Sequence, residues 1–367
     1  YFYGHPDGGF RYSRRDSRQS ETLGVMKTFV RYFVVLVPLI VLSIGHAVEV
    51  DQGAVQEAKA AFLDRMVATH GLDRAELTRI LDNAEIDEQI LETISRPAER
   101  VLPWHEYRAI FLNETRISGG VEFWNTHADE IRNASEAYSV APELLVAILG
   151  VETYYGRRMG SFRVIDSLAT LAFAYPPRSE FFTSELEAFF LLAVEEGIDA
   201  EQVLGSYAGA MGAGQFISSS YRAYAVDGND DGRRDLWGDW QDVLASVANY
   251  FSAHGWRRDE PVVSRASLSQ TWSGPEPTSS MNLERTVSSL SDAGYIFSTE
   301  QPGEAPATVL SLEGQSQQEY WVGYHNFYVI TRYNRSVMYA LAVYQLGQAI
   351  LAEYERGSVE VSSEGGE

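Results

Sequence analysis

Glu152 is the residue whose type and position most clearly indicate chemistry. It ends an apolar run that predicts a buried helix. Leu145, Ile148 and Leu149 precede it by seven, four and three residues, so helical spacing places them on the same face as its carboxyl group. Burial disfavours the charged form and raises the pKa of a carboxylic acid, which can then protonate a leaving oxygen near neutral pH. The alternative is a glutamate at a helix end whose side chain turns to solvent.

A run of small residues, Ser206 to Phe216, indicates a second functional segment. It contains three glycines, which let the backbone approach a ligand closely. Because it lacks the Gly-Lys-Ser/Thr signature of a phosphate loop, we do not expect nucleotide binding. A tight contact between two helices needs the same small residues, so the pattern alone leaves that alternative open.

A third segment, His325 to Asn334, interleaves polar and aromatic side chains. Such a composition is typical of sites that stack on sugar rings and hydrogen-bond to their hydroxyl groups. A strand with an aromatic core face would show the same pattern. The segment therefore stays a candidate binding site with a structural alternative.

An acidic loop, Asp227 to Asp235, has oxygen-bearing side chains at positions 1, 3, 5 and 9 and a glycine at position 6, the spacing of an EF-hand calcium loop. Gly238 stands at position 12, where such a loop has a bidentate glutamate. Asp239 or Asp242 would have to supply that ligand in a longer loop, 227–242. The pattern predicts a structural calcium ion, and its alternative is a solvated acidic turn.

Helices must position these residues. Pro142 suits the first position of the helix that carries Glu152, and Gly156 can close that helix. Residues 260–320 are instead rich in Ser, Thr, Gly and Pro with short apolar runs, which predicts a small β-containing subdomain. We predict a helical region at 48–103, a second helical region bearing Glu152 at 104–258, the β-containing subdomain at 259–322, a return to the core at 323–354 and a disordered acidic tail at 355–367.

Composition excludes several classes of site. The chain of 367 residues has no cysteine, so disulfides, zinc–thiolate sites, a cysteine nucleophile and a lipid-modified cysteine are not expected. Its net charge of −22 disfavours nucleic acid as a partner. The hydrophobic content of 45% is enough for a sizeable core.

The N-terminal residues have the pattern of a secretory signal peptide at 26–47. Lys27 and Arg31 form a basic region, residues 32–44 are apolar, and Gly45-His46-Ala47 resembles a cleavage site. An uncleaved membrane anchor is the alternative, although the apolar run is short for a spanning helix. Residues 1–25 read as an upstream extension. The pattern predicts a periplasmic protein.

Several motifs occur in an order that resembles one family. They are Gly150-Val151-Glu152-Thr153, Asp166 to Leu171, Ala208 to Phe216, Ser246 to Phe251, His254-Gly255-Trp256 and His325 to Asn334. Together they resemble the membrane-bound lytic transglycosylase B family (glycoside hydrolase family 103) over roughly residues 50–350. The resemblance implies a mainly α (α+β) fold, in which a lysozyme-like helical core carries an N-terminal helical region and a small β-containing subdomain.

The resemblance also implies a reaction and a set of site residues. The reaction is cleavage of the β-1,4 bond between N-acetylmuramic acid and N-acetylglucosamine in peptidoglycan, with a 1,6-anhydromuramoyl end as product. Glu152 would be the sole acid and base, and no catalytic cofactor is implied. The implied substrate contacts are Tyr107, Arg178, Ser206, Gln215, Phe216, Tyr250, Tyr333, Asn334 and Tyr339. The implied calcium ligands are Asp227, Asn229, Asp231, the carbonyl of Arg233, and Asp242.

The chain departs from the family pattern at two places, and each affects one of the implied site contacts. Tyr175-Pro176-Pro177-Arg178 keeps one of two arginines, which affects one peptide or saccharide contact. One extra residue between Trp237 and Asp242 affects the last calcium ligand. The alternatives in function are a muramidase that hydrolyses the same bond and a non-catalytic peptidoglycan-binding scaffold. Expected partners are glycan strands and proteins of cell-wall synthesis or division.

Overall fold

The described part of the chain begins with three helices that pack against the body of the protein. The computed structural model describes residues 50–95, 102–274, 276–277 and 280–364; the predicted signal peptide and upstream extension lie outside these ranges. Helices α1 (Gln52–His70), α2 (Arg74–Asp82) and α3 (Glu88–Ser95) come first. Both α1 and α3 contact α8 (Val164–Ala174). Asp51 and Asp73 cap the starts of α1 and α2 by accepting backbone N–H bonds, as expected of N-cap aspartates.

A bundle of helices surrounds α7 (Pro142–Thr153), which carries Glu152. Helix α7 contacts α5, α6, α11 and α14. The remaining elements of this region are α4 (Trp104–Phe111), α5 (Glu114–Thr126), α6 (Ala128–Tyr138), β1 (Phe162–Arg163), a 3-10 turn (Pro176–Arg178), α9 (Ser179–Glu196), β2 (Leu204–Gly205), α10 (Ser218–Tyr224) and α11 (Trp240–Ala253). Helix α7 therefore lies in the hydrophobic core rather than at its edge.

The sequence of α7 explains both its burial and its end. Pro142 begins the helix, and every residue from Leu144 to Val151 is buried. The helix ends earlier than the sequence predicts, because Tyr154 already adopts the left-handed conformation, with φ of 55°. Tyr155 and Gly156 continue in that region, with φ of 59° and 78°. Left-handed backbone is unfavourable for tyrosine, so tertiary contacts must hold this turn.

Residues 263–323 form the small β-containing subdomain. Its elements are β3 (Val263–Leu268), β4 (Arg285–Thr286), α12 (Val287–Asp292), β5 (Tyr295–Ile296), β6 (Pro306–Glu313) and β7 (Gln318–Gly323). The sheet order is β4-β6-β7-β3-β5, and each of these pairs is antiparallel. Side chains alternate along β6: Val309 packs in the subdomain's own cluster, whereas Leu310 and Leu312 join the main helical core.

The chain returns to the helical core through α13 (His325–Tyr333) and α14 (Val337–Glu364). The strand alternative for 325–334 is wrong, because this segment is helical up to Tyr333. Asn326 is fully buried and bonds to the backbone of Arg257 and Glu260, which ties α13 to the chain before β3. Helix α14 continues to Glu364, whereas the sequence predicts a disordered tail from residue 355.

Among the described residues, no single helix is both long and apolar enough to cross a membrane. Only α6 and α7 taken together meet the length and composition criteria, and they are bent by 115° relative to each other.

The structure confirms the predicted fold class, a mainly α fold with a small antiparallel sheet.

Candidate active site

The carboxyl group of Glu152 is held by a tyrosine from another helix. Tyr339, at the start of α14, is 1% exposed, and its hydroxyl donates a hydrogen bond of 2.5 Å to Oε1 of Glu152. Burial raises the pKa of Glu152 to about 7, and the bond from Tyr339 opposes part of this rise. The group is therefore an acid that is partly protonated at neutral pH and can both give and take a proton.

A cavity of about 300 Å³ opens beside Glu152. It is lined by Glu152, Arg158, Gly160, Ser161, Phe162, Ser206, Tyr207, Ala208, Ala210 and Gln215. Among these described residues Glu152 is the only carboxylic acid. Asp166, the next acid along the chain, instead accepts a 3.0 Å bond from the backbone N–H of Glu85 in the N-terminal region. The cavity thus offers one carboxyl group and not a pair.

The small-residue run forms another wall of this cavity. The hydroxyl of Ser206 accepts bonds from the backbone N–H groups of Ala208 and Ala210, at 3.3 and 3.0 Å. Thr153, next to Glu152, donates a 2.8 Å bond to the carbonyl of Ala213. A Cβ on Gly212 would lie 2.5 Å from the carbonyl oxygen of Leu236, so only glycine fits there. The run therefore forms a folded loop against α7, not a contact between two helices.

Gln215 connects the cavity to a second, smaller one. Its side-chain amide donates bonds to the carbonyls of Met159 (3.1 Å) and Gly212 (3.0 Å), and its φ is 53°. It also lines a neighbouring space of about 120 Å³, together with Phe216, Ile217, Ser220, Tyr250, Arg332 and Tyr333. The two cavities therefore share the Gln215 side chain.

Three predicted aromatic residues form one cluster in the smaller cavity. The rings of Tyr250 and Tyr333 both lie edge-on to that of Phe216, with centroids 6.0 Å away. The hydroxyl of Tyr333 donates a 2.5 Å bond to the carbonyl of Gly214, and that of Tyr250 donates one of 2.6 Å to the carbonyl of Arg332. Tyr250 therefore supports the wall of the cavity, and its hydroxyl bonds to backbone, not to Glu152.

The other three predicted contacts, Tyr107, Arg178 and Asn334, line neither cavity. Tyr107 packs between Trp104 and Phe111 on α4. Asn334 ends α13 and lies outside the lining of both cavities. Arg178 stacks over the ring of Phe181 at 4.4 Å. Burial raises the pKa of the cavity residue Tyr207, and the charge of Arg178 opposes part of this rise. Arg178 is thus the one of these three that acts on a cavity residue.

Comparisons with known proteins agree with this geometry. A family model for the transglycosylase SLT domain matches residues 54–348. The chain belongs to the transglycosylase SLT domain family. It is 42% identical over 298 residues to the membrane-bound lytic murein transglycosylase B of Escherichia coli (strain K12), and the match covers 79% of this chain and 81% of that protein.

Solved structures of such SLT proteins have the same fold. The lytic transglycosylase SltB1 from Pseudomonas aeruginosa, in its catenated form, aligns with a TM-score of 0.78 and 45% identity, over 80% of this chain and 97% of that one. The Escherichia coli lytic transglycosylase Slt35 in complex with calcium aligns with a TM-score of 0.73 and 41% identity, over 81% and 93% of the two chains.

Two residues of the SLT domain that line the cavity are not among those predicted from the sequence. Arg158 and Tyr207 line the cavity with Glu152. Tyr155 supports α7 from behind, because its buried hydroxyl donates a 2.7 Å bond to the carbonyl of Arg116. A Cβ on Gly150 would lie 2.7 Å from that same hydroxyl oxygen. The glycine five residues before Tyr155 is therefore the sequence feature that could have indicated this close contact.

The acidic loop 227–242 of the SLT domain is folded around its own side chains. Asp227 and Asn229 both accept bonds from the backbone N–H of Asp231, at 3.1 and 2.9 Å. Asp242 is 1% exposed and accepts bonds of 2.7 Å from the N–H groups of Gly228 and Asp235. Burial raises the pKa of Asp242, the two backbone bonds oppose part of this rise, and the charges of Asp239 and Asp227 add to it. Negative charge therefore converges on this loop.

A metal would need more than carboxylates at this loop. Within the described part of the chain, no group of three or more His, Asp or Glu side chains is arranged to hold a metal ion. The predicted set mixes carboxylate, amide and backbone carbonyl oxygens, which are all hard donors of the kind that calcium takes. The donor chemistry fits calcium, and the bond network within the loop brings these residues together.

Proposed function

We propose that this protein is a lytic transglycosylase that cleaves the β-1,4 bond between N-acetylmuramic acid and N-acetylglucosamine and leaves a 1,6-anhydromuramoyl end. One observation carries the proposal: Glu152 is the single carboxylic acid among the described residues of its cavity, with a pKa raised to about 7. A hydrolase of the usual kind needs a second carboxyl group as nucleophile or base. The family membership agrees with this activity.

In the proposed mechanism Glu152 acts twice. It first protonates the glycosidic oxygen, and the bond from that oxygen to C1 of the muramoyl sugar breaks. The carbonyl of the substrate's own N-acetyl group stabilises the positive charge at C1. Glu152, now a carboxylate, then takes the proton of the muramoyl C6 hydroxyl, whose oxygen bonds to C1 and closes the anhydro ring. Proton transfer of this kind is worth about 10²–10⁴ in rate.

Tyr339 positions the carboxyl group for both steps. Its hydroxyl engages Oε1 of Glu152, which leaves Oε2 for proton transfer to the substrate. The glycan would lie along the cavity walls formed by Ser206, Tyr207 and Gln215 and reach the aromatic cluster around Phe216. Aromatic faces suit the apolar faces of sugar rings.

Mass spectrometry of the products from purified sacculi tests this activity. We expect anhydromuramoyl ends from the wild-type protein and none from Glu152→Gln. Asp166→Asn is the matched control, because Asp166 bonds to the N-terminal region outside the cavity and its amide can still accept the bond from Glu85. Reducing muramoyl ends would indicate a muramidase instead, and binding to sacculi without any cleavage would indicate a scaffold protein.

We further propose that calcium binds the loop 227–242 as a structural ion. Asp227, Asn229, Asp231, the Arg233 carbonyl and Asp242 would hold it. The ion would neutralise the carboxylates that converge there and fix the loop before α11. A relative of known structure was solved in complex with calcium.

We propose that the protein acts outside the cytoplasmic membrane. Its proposed substrate, peptidoglycan, lies in the cell envelope, and the sequence pattern at 26–47 would direct export. Detection of the protein in a periplasmic fraction would test this location.

A further inference from the structure

Arg158 is a cation at the cavity that carries Glu152. It is exposed, and its guanidinium carbon lies 5.7 Å from the ring centroid of Tyr154. No described carboxylate forms an ion pair with it, whereas its neighbour Arg157 pairs with Glu122 at 3.2 Å. Several other arginines of the described residues do pair with a carboxylate, among them Arg65, Arg79 and Arg222. A guanidinium group that lines a cavity without one is suited to a ligand anion.

The backbone that carries Arg158 is held in place. Its N–H donates a 2.8 Å bond to the carbonyl of Thr153, one residue from Glu152. The next residue, Met159, accepts a bond from Gln215. Gly160 packs so tightly that an added Cβ would lie 2.0 Å from the carbonyl oxygen of Gly205. The backbone of Arg158 is thus fixed relative to both α7 and the small-residue loop.

Arg158 does not serve to tune the catalytic acid. The main causes that shift the pKa of Glu152 are burial and, in the opposite direction, the bond from Tyr339; the charge of Arg158 is not among them. A second arginine, Arg178, acts on the cavity residue Tyr207. Arg158 lines the cavity and forms no ion pair with a described carboxylate, so its charge is available to a ligand.

We propose that Arg158 binds a carboxylate of the peptide stem on the muramoyl residue and sets a preference for stem-bearing glycan strands. This inference rests on the proposed function. The N-acetylated sugars themselves are uncharged, so an anion can come only from the lactyl group or from the peptide attached to it. In stem-bearing strands the lactyl carboxyl group is an amide, which leaves the carboxylates of the peptide.

A double-change cycle tests this contact. The catalytic efficiency kcat/KM is measured for the wild-type protein and Arg158→Gln on stem-bearing strands and on the same strands with their carboxylates converted to amides. We expect a loss of about tenfold, mainly in KM, from either change alone, which is the size of one charge-assisted bond. The variant Arg158→Gln acting on amidated strands should lose no more kcat/KM than either change causes alone. Arg158→Lys should recover part of the loss, because it keeps the charge without the planar fork.

Two controls show whether the effect belongs to Arg158 itself and to the peptide stem. Arg157→Gln removes the neighbouring cation, which pairs with Glu122, and should not reproduce the loss. Strands stripped of their peptides carry a free lactyl carboxylate, and Arg158→Gln should have little effect on them. An equal effect on stripped strands would assign the contact to the lactyl group and overturn the stem proposal.

The outcomes also distinguish this inference from the proposed function. If the wild-type protein releases anhydromuramoyl products and Arg158→Gln equals it on stem-bearing strands, the inference fails and the function stands. Additive losses in the cycle would likewise overturn it. If the wild-type protein cleaves no strand, the proposed function fails, and this inference with it. The pH profile of Arg158→Gln should match the wild type, since Arg158 does not shift Glu152.

Discussion

The hydroxyl group of Tyr339 lies 2.5 Å from Oε1 of Glu152, although the two residues are 187 positions apart in the chain. Helix α7 brings the acid into the core, and the start of α14 brings the tyrosine to it. This contact stabilises the carboxylate and so opposes the effect of burial on the pKa of Glu152. The contact between Tyr339 and Glu152 therefore helps to set the pH at which Glu152 loses its proton.

The variant Tyr339→Phe should raise the pKa of Glu152 further above about 7. Loss of the hydrogen bond removes the contact that favours the charged form, so the acid stays protonated to higher pH. The alkaline limb of the kcat/KM profile should move to higher pH, while the maximum rate falls because the carboxyl group is less well oriented. Tyr344→Phe, on the same helix, is the control. An unshifted limb would show that Tyr339 does not act on Glu152.

Glu152 should make the protein less stable as pH rises. Its pKa rises from 4.5 to about 7 on folding, so the stability that it contributes is complete below pH 4.5 and is lost as pH rises through about 7. Glu152→Gln has no such charge, and should therefore be more stable than the wild type at pH 8 by up to roughly 3 kcal/mol. The difference should nearly vanish at pH 4. Urea unfolding at both values measures it, and an equal difference at each pH would contradict this account.

Gly150→Ala should destabilise the fold by about 1–3 kcal/mol, the usual cost of overpacking a core. The new Cβ would lie 2.7–2.8 Å from the ring and hydroxyl of Tyr155, which is itself buried and bonded to the carbonyl of Arg116. Gly53→Ala, on the exposed face of α1, is the matched control. Denaturant midpoints measure both variants. Equal midpoints for the two variants would mean that Tyr155 can move away from the new Cβ without loss of stability.

Calcium should raise the thermal midpoint of unfolding. An ion that binds only the folded state stabilises it by about 2.7 kcal/mol at a concentration 100 times its Kd. For a domain of this size that corresponds to a shift of about 5 °C. Calorimetry with calcium, with magnesium and with a chelator measures the shift, and Asp242→Asn should reduce it. The same thermal midpoint in calcium and in chelator would contradict the proposal that calcium binds this loop.

Periodicity and composition predicted the helices and the small sheet, whereas the family and the activity followed from the resemblance of the ordered motifs to a known family. The burial of α7 was predictable because its residues are consecutively apolar, and Glu152 was conspicuous because it ends that run. The glycines from Ser206 to Phe216 also predicted a segment whose backbone packs closely, and the loop against α7 has this property.

Several features of the site were not predictable from local pattern. The turn after Glu152 begins at Tyr154, not at Gly156, because tertiary contacts of Tyr155 hold a conformation that tyrosine rarely adopts. The segment from His325 is a helix, since its polar residues, such as Asn326, bond to distant backbone and not to solvent. Arg158 belongs to no motif recognised in the sequence, and its place beside Glu152 is evident only from the lining of the cavity.

Cleavage of sacculi in water enriched in oxygen-18 tests the central claim most directly. If Glu152 alone drives ring closure by the muramoyl C6 hydroxyl, the new muramoyl ends are anhydro sugars that contain no oxygen-18. Mass spectrometry should find these ends with the wild-type protein and lose them with Glu152→Gln. Muramoyl ends that carry one oxygen-18 atom each would show that water is the attacking group, and would contradict the single-acid mechanism.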